Sequence, residues 1–132
     1  MSKPFRIHQD VYIIGSAEIS HPYDCCVYLI DVGELILIDS GAGRSFNRLV
    51  ENILTLGLTP EKISTVVVTH CHIDHVGNLA KFKQEYGAKI IAHNLDAQAI
   101  ETGKGTGAEL YGVSYEPCHV DIKLKKSVKL WL

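Results

Sequence analysis

Apolar residues recur along this chain with two different periods, and the switches between them divide it into short strands and helices. Residues 5–8 and 11–14 are short runs broken by Gln9-Asp10 and closed by Gly15, which predicts two strands. Residues 16–24 are polar and contain Pro22, and read as a loop. Residues 25–32 and 35–39 flank Gly33-Glu34, the composition of a hairpin whose two-residue turn opens on glycine. The second of these strands, Leu35-Ile36-Leu37-Ile38-Asp39, is apolar on both faces, so it belongs between two layers and not against water.

The period then changes. Phe46, Leu49, Val50, Ile53 and Leu54 form a helical stripe within residues 44–56, and Gly57 supplies the stop. Thr59-Pro60-Glu61 opens a short helical turn. The β-branched run of residues 63–69 returns as a buried strand, completing a strand-helix-strand crossover of parallel strands. Leu79, Phe82 and Tyr86 mark a second helix, opened by Asn78 and ended by Gly87, and residues 89–93 are a further strand. Asn94 is expected to cap a helix running to about Glu101. Residues 102–107 read as a flexible surface loop or lid, and residues 120–124 and 128–132 as two more strands. The pattern is that of an α/β fold with a mixed sheet and helices on one face. Leu35 to Ile38 and Val66-Val67-Val68 are apolar towards both sides, so the uncovered face is expected to be an apolar patch that promotes a homo-oligomer.

Composition narrows the function classes. At 132 residues the chain is a single domain, 1–132, able to bury its own core. A net charge of -2 offers no footprint for nucleic acid or an anionic membrane. With no charged leader before an apolar segment and no apolar run of about 18 residues, the expectation is a soluble, cytoplasmic protein. The four cysteines, Cys25, Cys26, Cys71 and Cys118, form no C-x-x-C pair, which suits reduced thiols. Gly41 and Gly43 suggest a phosphate cradle, but no Gly-Lys-Ser/Thr follows them.

The chemistry concentrates in Thr69-His70-Cys71-His72-Ile73-Asp74-His75-Val76-Gly77-Asn78, which holds three of the seven histidines and one carboxylate within six residues. Imidazole and carboxylate suit zinc, and in other settings iron or manganese. On a strand end, residues two apart point the same way, so His70 and His72 can share one ion while Cys71 points away and packs. Asp74 and His75 lie on the turn beyond, where Gly77 lets the backbone double back, and can hold a second ion. A packed or solvated histidine explains one such residue, not three with an aspartate at this spacing. Asp39, at the end of a buried strand, needs partners to stay charged. It either hydrogen-bonds a metal-ligating histidine or caps the Ser40-Gly41-Ala42-Gly43 turn. His93, at a strand end, reads as a packed or capping residue.

The His-x-His-x-Asp-His order of residues 70–75, with Leu37-Ile38-Asp39-Ser40-Gly41 upstream, resembles the metallo-β-lactamase superfamily, and the similarity runs from about Val11 to about Leu130. That superfamily holds binuclear metal hydrolases such as hydroxyacylglutathione hydrolases, lactonases and β-lactamases, with a few mononuclear iron oxygenases. The resemblance implies half of a four-layer αβ/βα sandwich, with His70, His72, Asp74 and His75 as metal ligands and two zinc ions in a complete site. It favours Asp39 as the partner of a ligating histidine, and gives Asp74 a catalytic role beside the metal-bound water. It implies that residues 16–24 overhang the site, which makes His21 and Tyr23 candidate substrate contacts beside their reading as solvated loop residues.

The resemblance also assigns Pro117, Val120 and Asp121 to a segment that precedes the next metal motif, so Cys118 and His119 are not expected to be ligands. The remaining ligands of the family are expected beyond Val128, which would make 1–132 an N-terminal portion. The implied reaction delivers metal-activated water to a thioester, lactone or β-lactam of a small-molecule substrate. Two other readings remain: a catalytically silent metal-binding or self-associating half-domain, and a mononuclear iron dioxygenase.

Overall fold

The computed structural model describes residues 1–126. The expected strand at residues 128–132 lies outside them. Seven strands form one sheet in chain order: β1 (Phe5–His8), β2 (Val11–Gly15), β3 (Val27–Asp31), β4 (Leu35–Ile38), β5 (Ile63–Val67), β6 (Lys89–His93) and β7 (Ile122–Leu124). β1 to β4 are an antiparallel meander, and β4 to β7 pair in parallel. The parallel half requires crossovers, which α1 (Phe46–Thr55) and α3 (Leu79–Tyr86) supply. α2 (Ile73–Val76), α4 (Asn94–Thr102) and α5 (Ala108–Tyr111) are shorter. None of these helices is long and apolar enough to cross a membrane.

The helices cover one face, as expected. Leu49 and Ile53 of α1, Leu79 and Phe82 of α3, and Ile100 of α4 join Leu29, Leu37, Val66 and Ile90 in one core. The sheet register explains why: Tyr12, Leu29, Leu37, Val66 and Ile90 are successive partners across five strands and so share a face. The neighbouring row, Phe5, Ile13, Tyr28, Ile38, Val67, Ile91 and Ile122, points the other way and, among the described residues, carries no helix. Its edges are open, with Phe5 54% and Ile122 44% exposed.

Several element ends fall one or two residues from expectation; the β3–β4 loop is Val32-Gly33-Glu34, three residues instead of two, because Asp31 pairs with Leu35. Three further departures bear on the site. β3 begins at Val27, so Cys25 and Cys26 precede the ladder. β5 ends at Val67, because the Thr69 N–H is taken by the Asp39 carboxylate (2.8 Å) instead of a neighbouring strand. α4 is capped by His93, not Asn94. β6 runs into the helix without a linker, so its last residue takes the cap position and its Nδ1 accepts the Leu95 N–H (3.0 Å).

Gly77 departs in kind. Its backbone is helical (φ -61°), so it does not supply an unusual dihedral. What requires glycine is proximity, since a Cβ there would lie 2.1 Å from the Ala42 carbonyl carbon and 2.2 Å from the Gly43 nitrogen. Backbone on both sides leaves no flexible side chain to yield. Gly77→Ala is therefore expected to cost at least about 1–3 kcal/mol, the usual range for overpacking, read as a lower urea midpoint at unchanged slope. An unchanged midpoint would show that the two turns separate freely.

Candidate metal centre

The His-rich turn is held from several directions before its side chains are considered. Just past the end of β5, the Val68 N–H reaches the Ile91 carbonyl at 2.8 Å. His70 and Cys71 then run through a loop, and His72 stands at the N-terminal cap of α2, which carries Asp74 and His75. So the histidines do not extend a strand as expected; they span a loop and one helical turn. Buried Ile73 and Val76 anchor that turn in the protein. The Ile73 N–H donates to Thr106 O (2.7 Å), Gly77 N–H to Gly41 O (2.8 Å) and Ser40 N–H to His75 O (2.8 Å). The Cys71 N–H donates to the Asp96 carboxylate (3.1 Å). Asn78, expected to cap α3 through its side chain, instead donates from Nδ2 to Ser40 O (2.7 Å), tying the turn to the end of β4.

The side chains converge. The His70 and His75 rings lie 3.9 Å apart, and the His70 and His72 rings 4.9 Å. One donor atom from each of His70, Asp74 and His75 falls within 4.8 Å of the others. His72 stands beside His70 but outside that grouping, and it is exposed. Two imidazoles and a carboxylate, with a third imidazole adjacent, are a donor set that zinc accepts and that iron and manganese tolerate. The residues present fit such an ion.

Asp39 is 3% exposed and sits at φ +66°, in the left-handed region that aspartate tolerates better than most residues. It accepts hydrogen bonds from Thr69 N–H (2.8 Å), Thr69 Oγ1 (2.7 Å) and His75 Nδ1 (2.7 Å). These replace the water lost on burial. With Nδ1 donating to Asp39, the His75 lone pair is on Nε2, 3.4 Å from the Asp74 carboxylate. Burial pulls the His75 pKa down, but the hydrogen bond and charge of Asp39, with the charge of Asp74, outweigh it and leave the net value raised.

Cys25 was not expected near the centre, yet its sulfur lies within 4.8 Å of donor atoms of Asp39 and His75. The register holds the signal: Tyr28 pairs with Ile38, so the residues before β3 lie opposite those after β4. Burial, reinforced by the Asp39 charge, pushes the Cys25 thiol far up, so it is a neutral packing group. Cys71 packs against the core, its thiol raised by burial and by the hydrogen bond to Asp96. Cys118 also packs there, pushed up to about 11 by burial, and His119 is engaged by Glu101 at 3.1 Å. Tyr23 packs against Tyr111, a cavity-lining residue, with ring centres 5.2 Å apart, and His21 meets Tyr23 edge-on at 5.2 Å.

A cavity of about 330 Å³ opens beside the turn. His72, Ile73 and Asp74 form one wall, and residues 105–111 form the other. Of the second wall, residues 105–107 were legible in the sequence as part of a glycine-rich loop, while α5 was not anticipated.

A model of the family described as the Metallo-beta-lactamase superfamily matches residues 22–130. Metallo-beta-lactamase domain-containing protein 1 of Mus musculus is 39% identical over 59 residues, covering 45% of this chain and 22% of that protein. Among solved structures, the metallo-beta-lactamase GOB-18 from Elizabethkingia meningoseptica is similar with a TM-score of 0.84 at 34% identity, covering 99% of this chain and 47% of that one. The class B3 di-zinc metallo-beta-lactamase LRA-12 from an Alaskan soil metagenome has a TM-score of 0.78 at 28% identity, covering 98% and 48%. The chain thus spans about half the length of these solved structures.

Proposed function

Because this chain belongs to the metallo-β-lactamase superfamily, we propose that it contributes His70, His72, Asp74 and His75 to the centre of a metal-dependent hydrolase that cleaves an ester-like bond in a small molecule: a thioester, lactone or β-lactam. The observation that carries this reading is the convergence of His70, Asp74 and His75 within 4.8 Å while Asp39 holds the far nitrogen of His75. Zinc, with iron or manganese as alternatives, supplies Lewis acidity towards a carbonyl oxygen and brings the ionisation of water near neutral pH.

The protein's own groups do the rest. His70, His72 and the Nε2 of His75 bind, and Asp39 fixes the His75 ring and tautomer by accepting from Nδ1. The Asp74 side chain is 28% exposed and borders the cavity, so one of its oxygens can orient a water and accept its proton while the other binds. The cavity wall of residues 105–111 limits bulk water on that side. A catalytically silent metal-binding half-domain is the second reading, because the grouping of His70, Asp74 and His75 suffices to hold an ion without implying turnover.

The test is Asp74→Asn in the full-length gene product, assayed on thioester, lactone and β-lactam substrates alongside metal analysis. Turnover is expected to fall by about 100-fold or more, the scale of lost acid–base catalysis, with any loss of metal quantified separately. Normal turnover with full metal content would exclude the role of Asp74. A gene product that binds metal yet cleaves none of these substrates would favour the silent module. One iron per chain in place of zinc would move the chemistry to oxygenation.

A further inference from the structure

Residues 68–72 belong to no strand or helix, so the sheet ladder does not fix the path of the chain through the first two histidines. Alternate amides of the turn are instead taken by acceptors far away in the sequence. The Thr69 N–H donates to the Asp39 carboxylate (2.8 Å), the Cys71 N–H to the Asp96 carboxylate (3.1 Å) and the Ile73 N–H to Thr106 O (2.7 Å). The tied residues alternate with the donors: His70 and His72 lie between them, and Asp74 follows the last.

Asp39 also serves His75, and Thr106 also closes the cavity wall. Asp96 has neither duty. It is half-buried in the first turn of α4 and, among the described residues, makes no ion pair. Its place is rigid, because α4 follows β6 without a linker and is seated by buried Ala97 and Ile100. The helix dipole alone favours an acid in that first turn, but it does not require the carboxylate to reach a backbone amide between two histidines.

The consequence is directional. Cys71 presents both its N–H and its thiol to Asp96 and packs on the core. His72 has an extended backbone (φ -64°, ψ 146°), and side chains along extended chain alternate in direction. With Cys71 drawn towards α4, His70 and His72 turn away from it together, their ring centres 4.9 Å apart. His72 lies outside the close grouping of His70, Asp74 and His75, so its recruitment depends most on how this segment is held.

We propose that Asp96 is a positioning residue of the metal centre: by accepting the Cys71 N–H it holds the segment between His70 and His72 so that both imidazoles face one ion. The effect on the ion rests on the metal-dependent reading; the hold on Cys71 is measurable without metal.

The experiment uses the full-length gene product and has two arms. In the metal-free protein, amide hydrogen exchange at Cys71 is expected to quicken by about tenfold or more in Asp96→Ala, while the Ile73 amide, held by Thr106, is unchanged. In chelator competition, zinc affinity is expected to fall by about 10-fold or more in Asp96→Ala. Asp96→Asn, whose amide oxygen still accepts the Cys71 N–H, is expected to recover most of that loss. Cys71→Ala keeps the N–H and is expected to stay within about threefold of wild type. In a His72→Ala background the cost of Asp96→Ala is expected to shrink to about threefold or less, because the pair it aligns no longer exists. Asp96→Ser, suited to a first helical turn but too short to reach Cys71, replaces the alanine variant if that variant does not fold. Unchanged zinc affinity in Asp96→Ala, the same loss with and without His72, or no recovery in Asp96→Asn would each overturn the proposal. A wild-type protein that binds no zinc, with the Cys71 exchange result intact, would instead overturn the metal-dependent reading alone.

Discussion

Zinc affinity is expected to fall by more than about 100-fold when His75 is replaced by alanine, because the loss exceeds the 10–100-fold typical of a partner that only supports a ligand. Asp39→Asn belongs to that supporting class. The amide offers one acceptor where the carboxylate serves Thr69 N–H, Thr69 Oγ1 and His75 Nδ1 together, so about 10–100-fold is expected there. Competition titration against a zinc chelator measures both. Wild-type affinity in His75→Ala would remove that residue from the ligand set.

The same measurement has a pH dependence whose sign is fixed by the raised pKa of His75. Zinc requires the neutral imidazole, so affinity is expected to rise with pH through that value and to fall in acid, beginning above the ordinary histidine value of about 6.5. The stability of the metal-free chain is expected to show the opposite trend. Protonated His75 facing Asp39 adds stability that is complete below about 6.5 and is lost as pH climbs through the folded-state value. Asp39→Asn should flatten both profiles.

Self-association at micromolar concentration is the second expected result. The row from Phe5 through Tyr28, Ile38 and Val67 to Ile122 crosses all seven strands, roughly 30 Å at the usual strand spacing, on the face that carries no helix. Ile13 and Ile91 are largely covered by their neighbours, but Phe5, Tyr28 and Ile122 are not. Soluble monomers tolerate only a few hundred Å² of such surface. Light scattering is expected to give at least twice the 14.6 kDa of a single chain. Ile38→Lys with Tyr28→Lys should reduce that mass by placing charge at the centre of the row. A compact native monomer would show that this face is not a contact surface.

What the sequence determined by itself was local. The stripe of Phe46, Leu49 and Ile53, the hairpin around Gly33 and the crossover into residues 63–67 follow from side-chain period and turn chemistry, which need no distant partner, although the hairpin loop is one residue longer than expected. The candidate donor set was local too, because His70, His72, Asp74 and His75 lie within six residues of one another.

Tertiary structure decided how those donors are held. Asp39 reaches His75 across 36 positions only because β4 and β5 pair in parallel and end together. Gly77 is required by the passing backbone of Ala42 and Gly43, which its own dihedrals do not reveal. Cys25 lies beside Asp39 through the β3–β4 register, and the cavity exists because Thr106 binds Ile73 from 33 residues away. Spacing along the chain carries no information about such contacts; they arise when separate elements pack against one sheet and the unsatisfied groups at its edge find one another.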